Sequence, residues 1–295
     1  MDVARELLER AYAIGSRSIA VVGTSKNAGK SVVVAALASA FTRECEIFGL
    51  ASIGRDGETI DALVAAPKPR FFLREGAVVA TATVLLPRTP ALEILEVTAE
   101  RCALGTIAIA RVRAPGYVEI AGPPQASAVR RIVARLATYA PFVVVDGAVD
   151  RIAALRGGDD AIVLAVGAAS APTLAHAVDD IAALAARLGV PRHDGIGEAI
   201  VVAGALTARA AAEHARTFGR VPLVVADPTR IAFGGRTFLE LREHLDLRCQ
   251  RSLRPIACTV APIGLGRVFE PRAFARAVAK RTGLPTYDVY AQAVA

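Results

Sequence analysis

Two of the four lysines in this chain of 295 residues fall in one short stretch, Gly23-Thr24-Ser25-Lys26-Asn27-Ala28-Gly29-Lys30-Ser31. Ahead of it, Ser18-Ile19-Ala20-Val21-Val22 is a β-branched apolar run that reads as a buried strand. Behind it, residues 32–41 are Ala-rich and long enough for a helix. Strand, glycine-bounded loop, Gly-Lys-Ser and helix are the parts of a phosphate-binding loop. The chemistry needs these residue types. Backbone N–H groups between Gly23 and Val32 turn toward phosphate oxygens at the helix N-terminus. Gly29 lets the main chain come close, Lys30 reaches the β- and γ-phosphates, and the Ser31 hydroxyl ligates Mg²⁺. In the usual spacing the first glycine would stand at Thr24; here Gly23 lies one residue further out. The plain alternative is a glycine turn before a helix. Lys26 is one place from Ser25, where dimeric ATPases with a second loop lysine carry it, so an exposed loop lysine is the favoured reading for it.

Two acids complete a cation site in this reading. Residues 46–53 form a second strand candidate leading into Gly54-Arg55-Asp56-Gly57-Glu58. Asp56 is placed to face Mg²⁺ and the γ-phosphate, with Arg55 or Glu58 as helpers, against the alternative of a plain Asp-Gly turn. Pro141-Phe142-Val143-Val144-Val145-Asp146 has the Walker B form, an apolar strand ending in an acid. Asp146 holds the metal directly or through water, or else it caps a helix. Asp150 and Arg151 follow and are placed to respond to the γ-phosphate. The catalytic set is therefore Lys30, Asp56 and Asp146, and the metal set Ser31, Asp56 and Asp146.

The elements that position these groups suggest an α/β chain with a doubly wound, mostly parallel sheet of P-loop NTPase type. A helix over residues 1–15 opens it. Pro67-Lys68-Pro69 begins a β-rich insertion around 67–122 that would carry substrate or partner specificity. Within it, residues 77–84 read as a strand and 91–101 as a helix. Residues 106–112 and 117–121 read as a hairpin turning at Pro115-Gly116. Arg113 and Glu119 are its polar candidates, with a salt-bridged surface hairpin as the favoured alternative. A helix over 125–139 precedes the Asp146 strand. Alternation then resumes with a strand at 161–166, a helix from Ser170 to Leu188, and strands at 199–203 and 221–226 around a helix at 207–218. Gly204-Ala205-Leu206-Thr207 and Asp227-Pro228-Thr229 follow those strands, where open parallel sheets bind ligands. Asp227 is the candidate acceptor for a nucleobase edge. Residues 236–295 read as a C-terminal βα extension, with helices at 236–245 and 271–281 and strands at 255–260 and 286–290. The whole is read as one domain.

Hydrophobic content of 54% against 21% charge supplies a large core and argues against global disorder. No apolar run reaches the ~18 residues that span a bilayer. The charged, amphipathic N-terminal segment is unlike a signal peptide, so a cytoplasmic protein is expected. Cys45, Cys102, Cys249 and Cys258 are widely spaced and read as free thiols. The net charge of +7 and the arginines between Arg209 and Arg254 admit a surface for acidic partners or nucleic acid. Solvated helix faces are favoured, because no aromatics interleave there.

The long loop form resembles that of dethiobiotin synthetase and the cobyrinic acid amidases, within the dethiobiotin synthetase/MinD-like P-loop group. A closer resemblance rests on four segments in order: the loop at 23–31, Ser52-Ile53-Gly54-Arg55-Asp56-Gly57-Glu58, Tyr117-Val118-Glu119-Ile120-Ala121-Gly122-Pro123, and Val145-Asp146-Gly147-Ala148. Together they resemble the P-loop proteins found with bacterial lysine 5,6-aminomutase and ornithine aminomutase, over roughly residues 18–225. The resemblance implies a reactivase subunit that binds ATP and Mg²⁺ beside a MutS-related ATPase. It would release damaged cobalamin from an adenosylcobalamin-dependent aminomutase, and a homodimer is expected by the same analogy. The competing expectation is an ATP-dependent carboxylate-activating enzyme. A third is a nucleotide-dependent binding module with negligible turnover.

Overall fold

The computed structural model describes residues 2–44, 46–54, 70–88, 91–147 and 160–291. The chain divides into two compact units, one of residues 1–22 and 30–156, the other of residues 23–29 and 157–295. Both are α/β and compatible with a doubly wound arrangement; pairing is mostly parallel in the second unit and divided between parallel and antiparallel in the first.

The first unit contains α1 (Val3–Ala13), β1 (Ser18–Gly23, its last residue counted with the other unit), α2 (Lys30–Arg43), β2 (Phe48–Ser52), β3 (Arg70–Leu73), β4 (Val78–Ala82), β5 (Leu92–Cys102), β6 (Gly105–Val112), β7 (Gly116–Glu119), α3 (Ala126–Leu136) and β8 (Phe142–Asp146). Six strands run in the order β1-β8-β2-β4-β6-β5. The first four are parallel, and β6 is antiparallel to both β4 and β5. β1 is buried along its whole length, and in β8 only the terminal Asp146 is not fully buried. That is why both read as unbroken apolar runs rather than alternating ones. Phe41 of α2 stacks on Phe48 of β2 with centroids 4.9 Å apart and tilts on Phe142 of β8 at 5.3 Å. The Asp2 side chain caps α1 by accepting from the amides of Ala4 and Arg5.

Two expectations for the insertion are corrected. Residues 91–101 form no helix; they belong to β5, which pairs with β6. Glu96 and Glu100 grip Arg135 and Arg131 of α3, with closest approaches of 2.7 and 2.6 Å. A spacing of four puts two side chains on one face of a helix and on one face of a strand alike, so it does not separate the two. The hairpin between 106–112 and 117–121 also does not form. Both edges of β6 are taken by β4 and β5, and β7 pairs instead with β3.

Segment 119–123 is tied down tightly. The buried Thr81 hydroxyl donates to the Glu119 carbonyl at 2.9 Å and accepts from the Ala121 amide at 3.0 Å. The Gly54 amide donates to the Pro123 carbonyl. At Gly122 the backbone lies so close to β2 that an added Cβ would stand 1.6 Å from the Ser52 carbonyl oxygen.

The second unit contains β9 (Asp160–Gly167), α4 (Leu174–Leu188), β10 (Ile200–Val201), α5 (Ala208–Phe218), β11 (Leu223–Val225), α6 (Gly235–Arg242), β12 (Leu247–Cys249), β13 (Leu253–Ala261), β14 (Ile263–Gly264), β15 (Arg267–Val268), α7 (Pro271–Thr282) and β16 (Thr286–Asp288). β16, β13 and β9 are parallel neighbours in that order, and β10, β11 and β12 make a separate parallel sheet. β14 and β15 form a small antiparallel hairpin. The α4 helix is capped by Thr173 rather than Ser170, because residues 168–170 form a 3-10 turn ahead of it. Glu270 caps α7, Pro271 sits in its first turn, and Gly283 ends it in the left-handed region. Among the described residues no helix is long and apolar enough to cross a membrane. Gly122→Ala should lower stability by about 3 kcal/mol or more, read from urea midpoints, since the backbone oxygen it meets cannot rotate away. A loss under about 0.5 kcal/mol would show that this segment yields instead.

Candidate functional site

In the first unit, the carboxyl ends of three neighbouring strands meet at Asp146. Asp146 closes β8, opposite Val21 of β1 on one side and Ser52 of β2 on the other. Its carbonyl accepts from the Ile53 amide at 2.9 Å, and the next amide, that of Gly147, donates to the Val21 carbonyl. The last residue of β8 is thereby held on both sides, and its carboxylate emerges at the strand ends, where open parallel sheets carry ligands.

Lys30, the first residue of α2, lies within electrostatic reach of Asp146. Burial holds the Lys30 ammonium below its ordinary pKa, while the Asp146 charge pulls it back up. Burial likewise pushes the Asp146 carboxyl up to about 6, against the opposing pull of Lys30. Desolvation therefore outweighs attraction for both groups. Strong burial of two opposite charges at one set of strand ends is the pattern of a candidate functional site. Ser31 and Val32 continue α2 half-buried, and the first turn of the helix carries no acid that would compete with an anion.

Residues 23–29 pack within the second unit. The Thr24 amide donates to the Ala165 carbonyl of β9 at 3.0 Å, and the Ser25 hydroxyl donates to the Lys26 carbonyl. Asn27 (φ 58°) and Gly29 (φ 89°) are in the left-handed region, with Ala28 between them. Such alternation turns successive N–H groups toward one side, forming an anion-binding concavity. A Cβ on Gly29 would crowd Ala261 of β13 at 3.2 Å, and one on Gly167 of β9 would meet the Asn27 carbonyl at 2.9 Å. Ala28 is 1% exposed. The amides of Asn27, Ala28 and Gly29 make no hydrogen bond among the described residues, and the Thr24 hydroxyl is buried without a partner there. Ala28 and Gly29 are buried, and buried main-chain donors are almost always satisfied, so these two amides call for an acceptor from outside. Lys26 and Asn27 are exposed.

Asp227 stands apart from these groups in its surroundings. It follows β11, is buried, and accepts from the amide and hydroxyl of Thr229 while facing Arg251 at 3.5 Å. Its carboxylate is thus engaged by its own 3-10 turn. Gly204 and Ala205 are exposed, and Thr207 caps α5. Arginines of the 209–254 run find local partners, Arg236 on Glu240, Arg248 on Asp246 and Arg220 on the Glu243 carbonyl. Arg113 pairs with Glu93, and Glu119 with Arg70. Cys102, Cys249 and Cys258 are free thiols, and burial pushes that of Cys258 up to about 12. Arg55, Asp56, Glu58, Pro67, Lys68, Pro69, Asp150, Arg151 and Cys45 lie outside the described residues.

Three contributors carried no signal in isolation. Thr81 sits inside an apolar strand, Gly167 ends another, and Gly122 precedes two prolines. Only the last could have been singled out, as a Gly-Pro-Pro turn. Among the described residues no group of three or more His, Cys, Asp or Glu side chains is arranged to hold a metal. Mg²⁺ does not require such a cage, since it keeps waters and uses one or two carboxylates with substrate phosphates. Ser31 and Asp146 fit that donor set. Comparison of the chain with family models, curated proteins and solved structures finds no match.

The Asp146 shift fixes a sign. With a folded pKa of about 6 against an ordinary 3.8, the folded chain binds the proton more tightly than the unfolded chain. The favourable contribution is full below about pH 4 and is lost as pH rises through 6, a swing of about 3 kcal/mol. Asp146→Asn removes that titration, so its stability relative to wild type should rise by roughly that amount between pH 4 and pH 8. Urea denaturation at the two pH values tests this; parallel curves for both proteins would refute it.

Proposed function

We propose that this chain is a P-loop nucleoside triphosphatase that binds Mg·ATP through residues 23–32. The observation that carries this reading is the run of unpartnered amides at Asn27, Ala28 and Gly29, leading directly into Lys30. A polyanion answers every deficit of that segment together. The amides gain acceptors, and the acid-free first turn of α2 gains an anion at its positive end. Lys30 would bind β- and γ-phosphate oxygens, and Ser31 and Asp146 would hold Mg²⁺ directly or through water. The cation, when bound, neutralises charge that develops on the transferring phosphoryl group. Asp56 keeps its place in the metal set on sequence grounds.

The biological task we propose is reactivation or assembly of an adenosylcobalamin-dependent aminomutase, beside a MutS-related ATPase. Its support is the ordered resemblance of four segments, three of which converge in the first unit: Ser52 and Ile53 lie against Asp146, and Gly122 lies against Ser52. Catalysis in this reading is positioning and charge stabilisation, with turnover set by a partner.

Calorimetry with Mg·ATP should show micromolar binding in wild type and at least about a hundredfold weakening in Lys30→Ala, since a charge-assisted phosphate contact is worth a few kcal/mol. Asp146→Asn should turn over slowly at every pH, since it loses the carboxylate that would hold Mg²⁺. Absence of nucleotide binding in folded wild type would sink the triphosphatase reading. Turnover indifferent to an inactivated aminomutase would sink the reactivase reading alone.

A further inference from the structure

The Tyr117–Pro123 segment is more than a strap over β2, because its strand carries a distinctive outer surface. In the β3–β7 ladder, Arg70 stands opposite Glu119, Phe71 opposite Val118, Phe72 opposite Tyr117 and Leu73 opposite Gly116. Alternation buries Phe71, Leu73 and Val118 and turns Arg70, Phe72 and Tyr117 outward. Phe72 and Tyr117 meet edge to face at 5.4 Å yet remain 49% and 62% exposed. Arg70 flanks them on one side and the exposed Arg74 continues the row beyond β3, with Glu75 in the turn that follows. Glu119 reaches Arg70 only at 3.7 Å, and its side chain is 9% exposed against 62% for Arg70. The charge that this face offers to solvent is therefore mainly guanidinium.

Exposed aromatics cost free energy unless something covers them, and aromatic-plus-arginine clusters are the composition of binding hot spots. Among the described residues β3 pairs on one side only, leaving its other edge open for an added strand. We infer that the face made by Arg70, Phe72, Arg74 and Tyr117 docks an extended, acidic segment of a partner protein. Charge complementarity selects acidic residues opposite Arg70 and Arg74, and the Phe72–Tyr117 pair takes an apolar side chain between them.

The same ladder is bound rigidly to the strand ends below it. Thr81 holds Glu119 and Ala121, Gly122 lies on Ser52, and Ser52 pairs with Asp146. A partner on this face would press on the strands that carry Asp146. That link, unlike the docking itself, rests on the nucleotide reading above.

The test uses the full chain and a labelled synthetic peptide alternating Asp or Glu with Leu or Phe, followed by fluorescence anisotropy. Wild type should bind it in a salt-sensitive way. Arg70→Glu/Arg74→Glu and Phe72→Ser/Tyr117→Ser should each weaken it about tenfold or more while leaving Mg·ATP affinity unchanged. Saturating Mg·ATP should shift the peptide affinity in wild type. Peptide binding that ignores both double variants, or no peptide binding by a protein that binds Mg·ATP, overturns the inference. Preference for a single-stranded oligothymidine over the peptide also overturns it, assigning the face to nucleic acid. Peptide binding by a protein that takes no nucleotide upholds the docking face and removes the triphosphatase reading instead.

Discussion

Two opposite charges that have lost water without fully regaining it in each other govern the first unit. Lys30 opens a helix and Asp146 closes a strand, and burial works against the charged form of both. A close ion pair would have quenched this by drawing the Asp146 carboxyl down. Instead its pKa stands near 6, within reach of modest changes in its surroundings. Everything nearby serves to keep that acid where it is: the pairing of β8 between β1 and β2, the amides of Ile53 and Gly147, and the backbone of Gly122 lying on Ser52. Stability is given up at this point for a preset electrostatic environment, a trade common at functional sites.

The parts of the fold that were legible in the sequence are those fixed by local physics. An apolar run buried on both faces, a glycine-bounded loop and an Ala-rich helix are decided within a few residues, and β1 and α2 appear where they were read. Thr207, Glu270 and Pro271 start helices as their chemistry dictates, whereas the start read at Ser170 moves to Thr173. Failures cluster where distant residues decide. The β5 segment carries Leu and Glu at helix-compatible spacings, and only its pairing with β6 and its grip on α3 make it a strand. Once β5 occupies one edge of β6, the hairpin expected with β7 has no edge to use.

The candidate site divides along the same line. Lys30, Ser31 and Asp146 are legible as candidates from residue type and spacing alone. Thr81 acts through two hydrogen bonds to backbone far away in sequence, so nothing in its neighbourhood announces it. Asp227 was legible as an acid after a strand, but not as one already engaged by Thr229 and Arg251.

The long β5 strand bears on how the molecule behaves in a crowded solution. Among the described residues it pairs only with β6, so its far side presents bare N–H and C=O groups together with exposed Ile94 and Val97. Such a border invites further chains to add on, the first step toward fibrous assembly. Two slips in its ladder, one between Ile94 and Glu96 and one between Val97 and Arg101, break the even row of hydrogen-bonding groups that a newcomer would need. Glu93 and Arg101 place opposite charges near its ends. A second copy of this border would meet a template that matches for only a few residues at a time.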